Sequence, residues 1–161
     1  AAGSDGVIAL TRGPYSPGYP QAGYGEIVRF PSVTSVFSFD DGDVISVGKT
    51  RITAIASPGH APGGMSWTWQ SCNANGCREV VYLDSLNAVS TDDYRFLDHP
   101  ETLAQLRSSM DRLAALPCDV AMAAHPDQLP KASDESTTQC AAYADAARER
   151  LNKRLKTESR K

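Results

Sequence analysis

Two of the three histidines in this 161-residue chain sit where a short β-type run gives way to a loop. His60 lies in Ser57-Pro58-Gly59-His60-Ala61-Pro62-Gly63-Gly64, directly after an apolar run that ends at Ala56. Proline fixes φ and glycine permits close backbone approach, so this composition holds an imidazole rigidly at a strand's end. His125 repeats the arrangement, because the run Val120 to Ala124 ends in His125-Pro126-Asp127. Neutral, well-oriented imidazole is a good zinc ligand, and two strand-end histidines favour a metal site over two ordinary turns. A catalytic zinc site needs about three protein ligands per metal, so these two do not complete one. His99, in Asp98-His99-Pro100 at a helix start, reads as a capping or surface residue.

The elements that must position these residues follow from periodicity. Residues 1–30 form a loop-rich lead-in, with Gly13-Pro14-Tyr15-Ser16-Pro17-Gly18-Tyr19-Pro20 at its centre. Residues 31–97 read as short strands: Val33 to Phe39, Val44 to Val47, Arg51 to Ala56, Met65 to Gln70 and Val80 to Leu83. Asp41-Gly42 is a hairpin signal, since both residues tolerate positive φ. Residues 98–161 read as helix, strand, helix. Leu103, Leu106, Met110, Leu113 and Leu116 recur at helical spacing, with Asp98 as the expected cap, Pro100 in the first turn and Pro117 as the stop. Asp119 to Ala123 is a strand, and Cys140, Ala144, Ala147, Leu151 and Leu155 form one stripe of a last helix. The order predicts an α/β fold: a mainly antiparallel sheet with helices on one outer face, half of an α/β sandwich.

Composition narrows the class. Hydrophobic residues make up 41% and charged residues 22%, enough for one compact domain with a core. A net charge of −3 gives no reason to expect nucleic acid or an acidic membrane surface as partner. No run approaches the roughly 18–20 apolar residues of a membrane helix. Arg148 to Lys161 holds seven basic and two acidic residues, which reads as the solvated end of a helix. The first residue is Ala1, which suggests a processed, engineered or fragmentary chain. Four cysteines, Cys72, Cys77, Cys118 and Cys140, lack zinc-finger spacing and suit two disulfides in an oxidising compartment. Three pairings are open. Cys72–Cys77 would close an Asn/Gly turn, Cys118–Cys140 would tie a strand start to a helix, and buried free thiols are the alternative.

Pro58-Gly59-His60-Ala61-Pro62-Gly63-Gly64 with Ser66-Trp67-Thr68-Trp69 is the first of several elements that resemble one family. Tyr82-Leu83-Asp84-Ser85-Leu86-Asn87-Ala88, Leu116-Pro117-Cys118-Asp119 and Ala124-His125-Pro126 follow in matching order. Together they resemble the metallo-β-lactamases, and within them the third subclass (B3), dizinc enzymes of the bacterial periplasm associated with antibiotic resistance. The resemblance covers about Asp40 to Leu155 and corresponds to the C-terminal half of the αββα sandwich. It implies zinc-dependent hydrolysis of the β-lactam amide bond of penicillins, cephalosporins and carbapenems by a metal-bound hydroxide. It implies two zinc ions per complete enzyme and a periplasmic or secreted location. His60 matches the ligand that completes a three-histidine zinc site, and His125 matches a ligand of the second zinc. The four cysteines fall where some members carry two disulfides. Ser85 and Asn87 fall at substrate-binding positions, the second of which is often serine in the family.

The family signature H-x-H-x-D-H, which carries the remaining ligands and the orienting Asp, does not occur in this sequence. The expectation is a chain that is inactive alone and exposes an apolar face. Its expected partner is an N-terminal fragment of the same enzyme or another copy of the chain. It would then be a cleaved enzyme, an engineered truncation or a remnant. Two other readings stay open. Asp84, if it is the residue that faces the metals, leans towards a lactone or thioester hydrolase. A non-catalytic secreted domain that oligomerises is the other.

Overall fold

The computed structural model describes residues 20, 21, 24, 33, 35–130 and 137–160. Most of the lead-in therefore lies outside the described residues. Five strands, β1 (Val44–Val47), β2 (Thr50–Ala56), β3 (Met65–Asn73), β4 (Gly76–Leu83) and β5 (Val120–Ala123), form one sheet in sequence order. Neighbours pair antiparallel up to β4, and β5 then lies parallel to β4 with Leu83 opposite Ala123. A parallel neighbour requires a long crossover. Here that crossover contains a short 3₁₀ turn, Phe96–Asp98, and helix α1 (Pro100–Ala114). Helix α2 (Gln139–Glu158) closes the described chain, its start capped by Thr138, whose side chain accepts from the Ala141 amide.

The helices cover one face of the sheet. Ile55, Val81, Leu83, Ala121 and Ala123 pack against Leu106, Met110 and Leu113 of α1 and Tyr143, Ala144, Ala147 and Leu151 of α2. Each fully buried leucine contributes about 2 kcal/mol from water exclusion alone. The register puts Ala54, Trp67, Tyr82 and Met122 side by side on the opposite face. Neither described helix belongs to that side, and Met122 is 42% exposed.

Three local readings differ from the sequence-based ones. The described part of the 33–39 run, residues 33 and 35–39, is assigned no strand and holds only an isolated bridge at Ser38. Alternation stabilises a strand only where one face finds a partner, and Phe37 is 75% exposed. Phe39 packs its ring edge-on to Trp67 at 5.4 Å. The Asp40–Asp43 turn does form, with Gly42 at φ 84°, but it leads from irregular chain into β1. Asp98 is not the α1 cap. It is absorbed in the 3₁₀ turn, and His99 takes the cap position, with its ring stacked on Tyr94 at 4.0 Å.

Both disulfides form, Cys72–Cys77 across the β3–β4 hairpin and Cys118–Cys140 between the start of β5 and α2. The hairpin pairing extends β3 and β4 beyond their apolar segments, with Cys72 directly opposite Cys77. No described helix is long and apolar enough to cross a membrane.

Candidate active site at the strand ends

β2 ends, β3 begins, and β4 and β5 both end at the same edge of the sheet. Sequence-distant loops therefore meet there: Ser57–Gly64, the segment from Asp84 to Asn87, and the turn after β5. The first is a tight loop, closed by Ser57 N to Gly64 O at 2.9 Å and Gly64 N to Ala61 O at 3.1 Å. Ser109 of α1 donates to the Pro58 carbonyl at 2.7 Å, pinning the loop on the helix. Gly59 takes φ 127°, and a Cβ there would lie 2.6–2.8 Å from Leu106 atoms, two of them backbone. Glycine is thus required both by dihedral and by space.

This scaffold fixes the His60 ring. Its Nδ1 lies 2.7 Å from the Asn87 carbonyl oxygen, an acceptor only, so Nδ1 carries the proton and Nε2 keeps the lone pair. The Gln21 amide nitrogen lies beside both ring nitrogens, 3.1 Å from Nε2 and 3.3 Å from Nδ1, and of the two only Nε2 can accept from it. Gln21 is brought there by a turn whose Pro20 carbonyl accepts from the Thr91 amide at 3.2 Å.

Asp84 ends β4 with its carboxylate turned towards Gly64, whose missing Cβ would lie 2.7 Å from Oδ2. Burial pushes the Asp84 carboxyl above the usual carboxylate range, although the Ser85 amide and the charges of His60 and His125 partly oppose this. Its backbone is held on both sides. The amide donates to Ser66 Oγ at 3.0 Å, and the carbonyl accepts from the Tyr143 hydroxyl at 3.1 Å. Burial also raises the Tyr143 hydroxyl.

His125 follows β5 directly and is exposed. The Ala124 amide before it donates to the Leu83 carbonyl at 3.1 Å, which ties this loop to the one carrying Asp84. Among the described residues the His125 ring makes no hydrogen bond, leaving its nitrogens open to a ligand. Ser85 is 3% exposed and accepts from the Asn87 amide at 3.4 Å. Asn87 is fully engaged: Nδ2 donates to Gln128 Oε1, and Oδ1 accepts from Arg150 Nε at 2.9 Å. His99 lies at the start of α1, in a ring stack and outside this cluster.

Gln21, Gln128, Tyr143 and Arg150 have no motif that marks them in the sequence. Arg150 belongs to the basic stretch read as solvated; it is exposed, as are Lys153, Lys156 and Arg160, but several cations of the stretch also hold protein partners. Arg148 bridges Asp111 and Asp145, and Arg154 bonds Glu158, Ser90 and the Tyr94 carbonyl. These cations fasten α2 to the rest of the chain.

No group of three His, Cys, Asp or Glu side chains suited to a metal ion occurs among the described residues. The donor chemistry nevertheless fits zinc in part, since His60 presents an oriented Nε2 lone pair and His125 an open imidazole at the same edge.

No family model matches the chain. Solved structures do. The metallo-β-lactamase SMB-1 bound to 2-mercaptoethanesulfonate is 40% identical, with a TM-score of 0.88, covering 98% of this chain and 64% of its own. MIM-1 from Novosphingobium pentaromativorans is 36% identical, with a TM-score of 0.85, covering 98% and 60%. MEM-A1, a subclass B3 enzyme from a soil metagenome library, is 33% identical, with a TM-score of 0.87, covering 98% and 65%. The chain thus spans less than two thirds of the length of each. By sequence and by fold, over 98% of its length, the chain is similar to metallo-β-lactamases, a subclass B3 enzyme among them, and the partial span of their length is consistent with a C-terminal half.

Proposed function

We propose that this chain supplies one half of a dizinc β-lactam hydrolase, with His60 and His125 as one ligand to each metal. The observation that carries the reading is the His60 ring, whose Nδ1 is held by the Asn87 carbonyl so that Nε2 is the nitrogen that keeps a lone pair. Zinc, when bound, supplies a water acidic enough to ionise near neutral pH and stabilises charge on the attacked carbonyl. The chain's own residues hold and orient. His60 and His125 present nitrogens, Ser66 and Tyr143 fix the backbone of Asp84, and Ser85 stands at the substrate side.

The remaining ligands come from a segment with the H-x-H-x-D-H pattern, provided by an N-terminal portion of the same enzyme or by another chain. The face bearing Ala54, Trp67, Tyr82 and Met122 supports this, since it is apolar and lacks a described helix. Two disulfides support a periplasmic or secreted setting. A second reading, lactone or thioester hydrolysis, draws on Asp84, whose carboxylate and not the buried Ser85 hydroxyl feels both histidines.

The test combines the chain with such a segment and follows a cephalosporin, a carbapenem and a lactone. Zinc-dependent β-lactam turnover that His60→Ala and His125→Ala each abolish is expected, with none from the 161 residues alone. Lactone turnover without β-lactam turnover would shift the assignment to the second reading. Turnover by the isolated chain would remove the need for a second segment.

A further inference from the structure

Asn87 has four polar groups, and each meets a different partner. Its amide donates to Ser85 Oγ at 3.4 Å, and its carbonyl accepts from His60 Nδ1 at 2.7 Å. Its Nδ2 donates to Gln128 Oε1, and its Oδ1 accepts from Arg150 Nε at 2.9 Å. Gln128 closes the turn after His125, its own amide donating to the His125 carbonyl at 3.0 Å. One residue therefore joins three places: its backbone carbonyl holds His60, and its side chain, which fixes that backbone, ties it to the turn that carries His125 and to helix α2.

We infer that Asn87 is a positioning residue, which sets the orientation of both histidines from a single point. The chemistry of the amide is specific to that task. Asparagine offers a donor and an acceptor two bonds from the backbone. Aspartate keeps the acceptor for Arg150 but places a second oxygen against Gln128 Oε1. Serine is too short to span both partners, and alanine has neither group. Because both ends of the Asn87 amide are taken by protein, the residue acts through the histidines and not by direct grip on a substrate. A metal ligand's second hydrogen bond commonly changes metal affinity by about 10–100-fold when lost, so such a residue has leverage without touching the reacting atoms.

The inference rests on reading His60 and His125 as ligands only for its purpose, since the geometry exists without metal or substrate. Its test uses the 161-residue chain itself and reads ring tautomers by long-range proton–nitrogen NMR. His60 is expected to be the Nδ1–H tautomer in the wild type. Asn87→Ala should raise its Nε2–H to Nδ1–H ratio about two- to fivefold, as for a weakened hydrogen bond, and should shift the His125 ring resonances too. Gln128→Ala, which cuts one link only, should shift His125 and leave the His60 tautomer ratio unchanged. Asn87→Gln, which restores donor and acceptor, should recover part of both effects. If Asn87→Ala folds and leaves both rings unchanged, the inference is overturned. If it does not fold, Gln128→Ala decides: an unmoved His125 overturns the link. Failure to hydrolyse β-lactams would refute the proposed function and leave these readouts intact.

Discussion

His60 donates from Nδ1 to the backbone carbonyl of Asn87 at 2.7 Å, across 27 residues of chain. That single bond decides which ring nitrogen is free. The free one, Nε2, is covered by the Gln21 amide at 3.1 Å. A metal must displace Gln21 to bind there. Gln21→Ala is therefore expected to tighten zinc binding by the assembled protein about two- to tenfold, the equivalent of one net hydrogen bond. Competition with a chromogenic chelator measures it. Unchanged or weaker affinity would mean that the amide does not compete for this nitrogen.

Gly59 is where the His60 loop touches α1. Gly59→Ala forces a side chain into φ 127° and into contacts of 2.6–2.8 Å with Leu106. A loss of about 2–4 kcal/mol is expected from strain and overpacking together. Urea unfolding would show it as a lower midpoint at unchanged slope. A cost under about 0.5 kcal/mol would mean that the loop shifts freely, contrary to the rigidity argued for His60.

Asp84 makes a pH prediction. Its folded pKa is raised above the ordinary carboxyl value of 3.8, chiefly by burial. The folded state then favours the protonated form, so this contribution is fully present below pH 3.8 and is lost as pH rises through the folded pKa. Asp84→Asn should match the wild type in acid and melt higher at neutral pH, in the absence of metal. Equal melting temperatures at pH 7 would contradict the burial argument.

Glu158 has the opposite sign. Burial pushes its pKa up, but the Arg154 guanidinium and the Leu97 and Phe96 amides outweigh this and hold it below the ordinary carboxyl value of 4.5. Its stabilisation is present above pH 4.5 and is lost as pH falls through the folded pKa. The Glu158 side chain is 5% exposed and Arg154 31%, so solvent screens the pair only in part. Glu158→Gln should cost about 1–3 kcal/mol at pH 7, and less in acid. Denaturant curves at pH 7 and pH 4 test the difference.

The sequence made most of this fold legible because its core elements bury one face with an unmistakable period. Leu106, Met110 and Leu113 are fully buried where helical spacing puts them, and the two strand-end histidines do share one edge. Residues 33–39 misled because alternation records only a capacity to bury a face, and among the described residues this run finds only the bridge at Ser38. Asp98 misled because a cap and the last residue of a 3₁₀ turn have the same local composition. Arg150 and Gln128 were invisible for a different reason. Their roles depend on partners 63 and 41 residues away in the chain, and a polar residue's own neighbours do not reveal such distances.

The parallel pairing of β4 with β5 also sets an order of assembly. β1 to β4 form by hairpins and short loops, whereas β5 reaches β4 only after the crossover through α1 has closed. Loop closure over a longer stretch is slower and costs more entropy. Refolding chains are thus expected to arrange the His60 loop on the meander first and to gain His125 with the last strand. Pulse-labelled hydrogen exchange during refolding would show β2 and β3 amides protected before those of Val120–Ala123, so that the strand-end cluster is completed from one side only until the last strand docks.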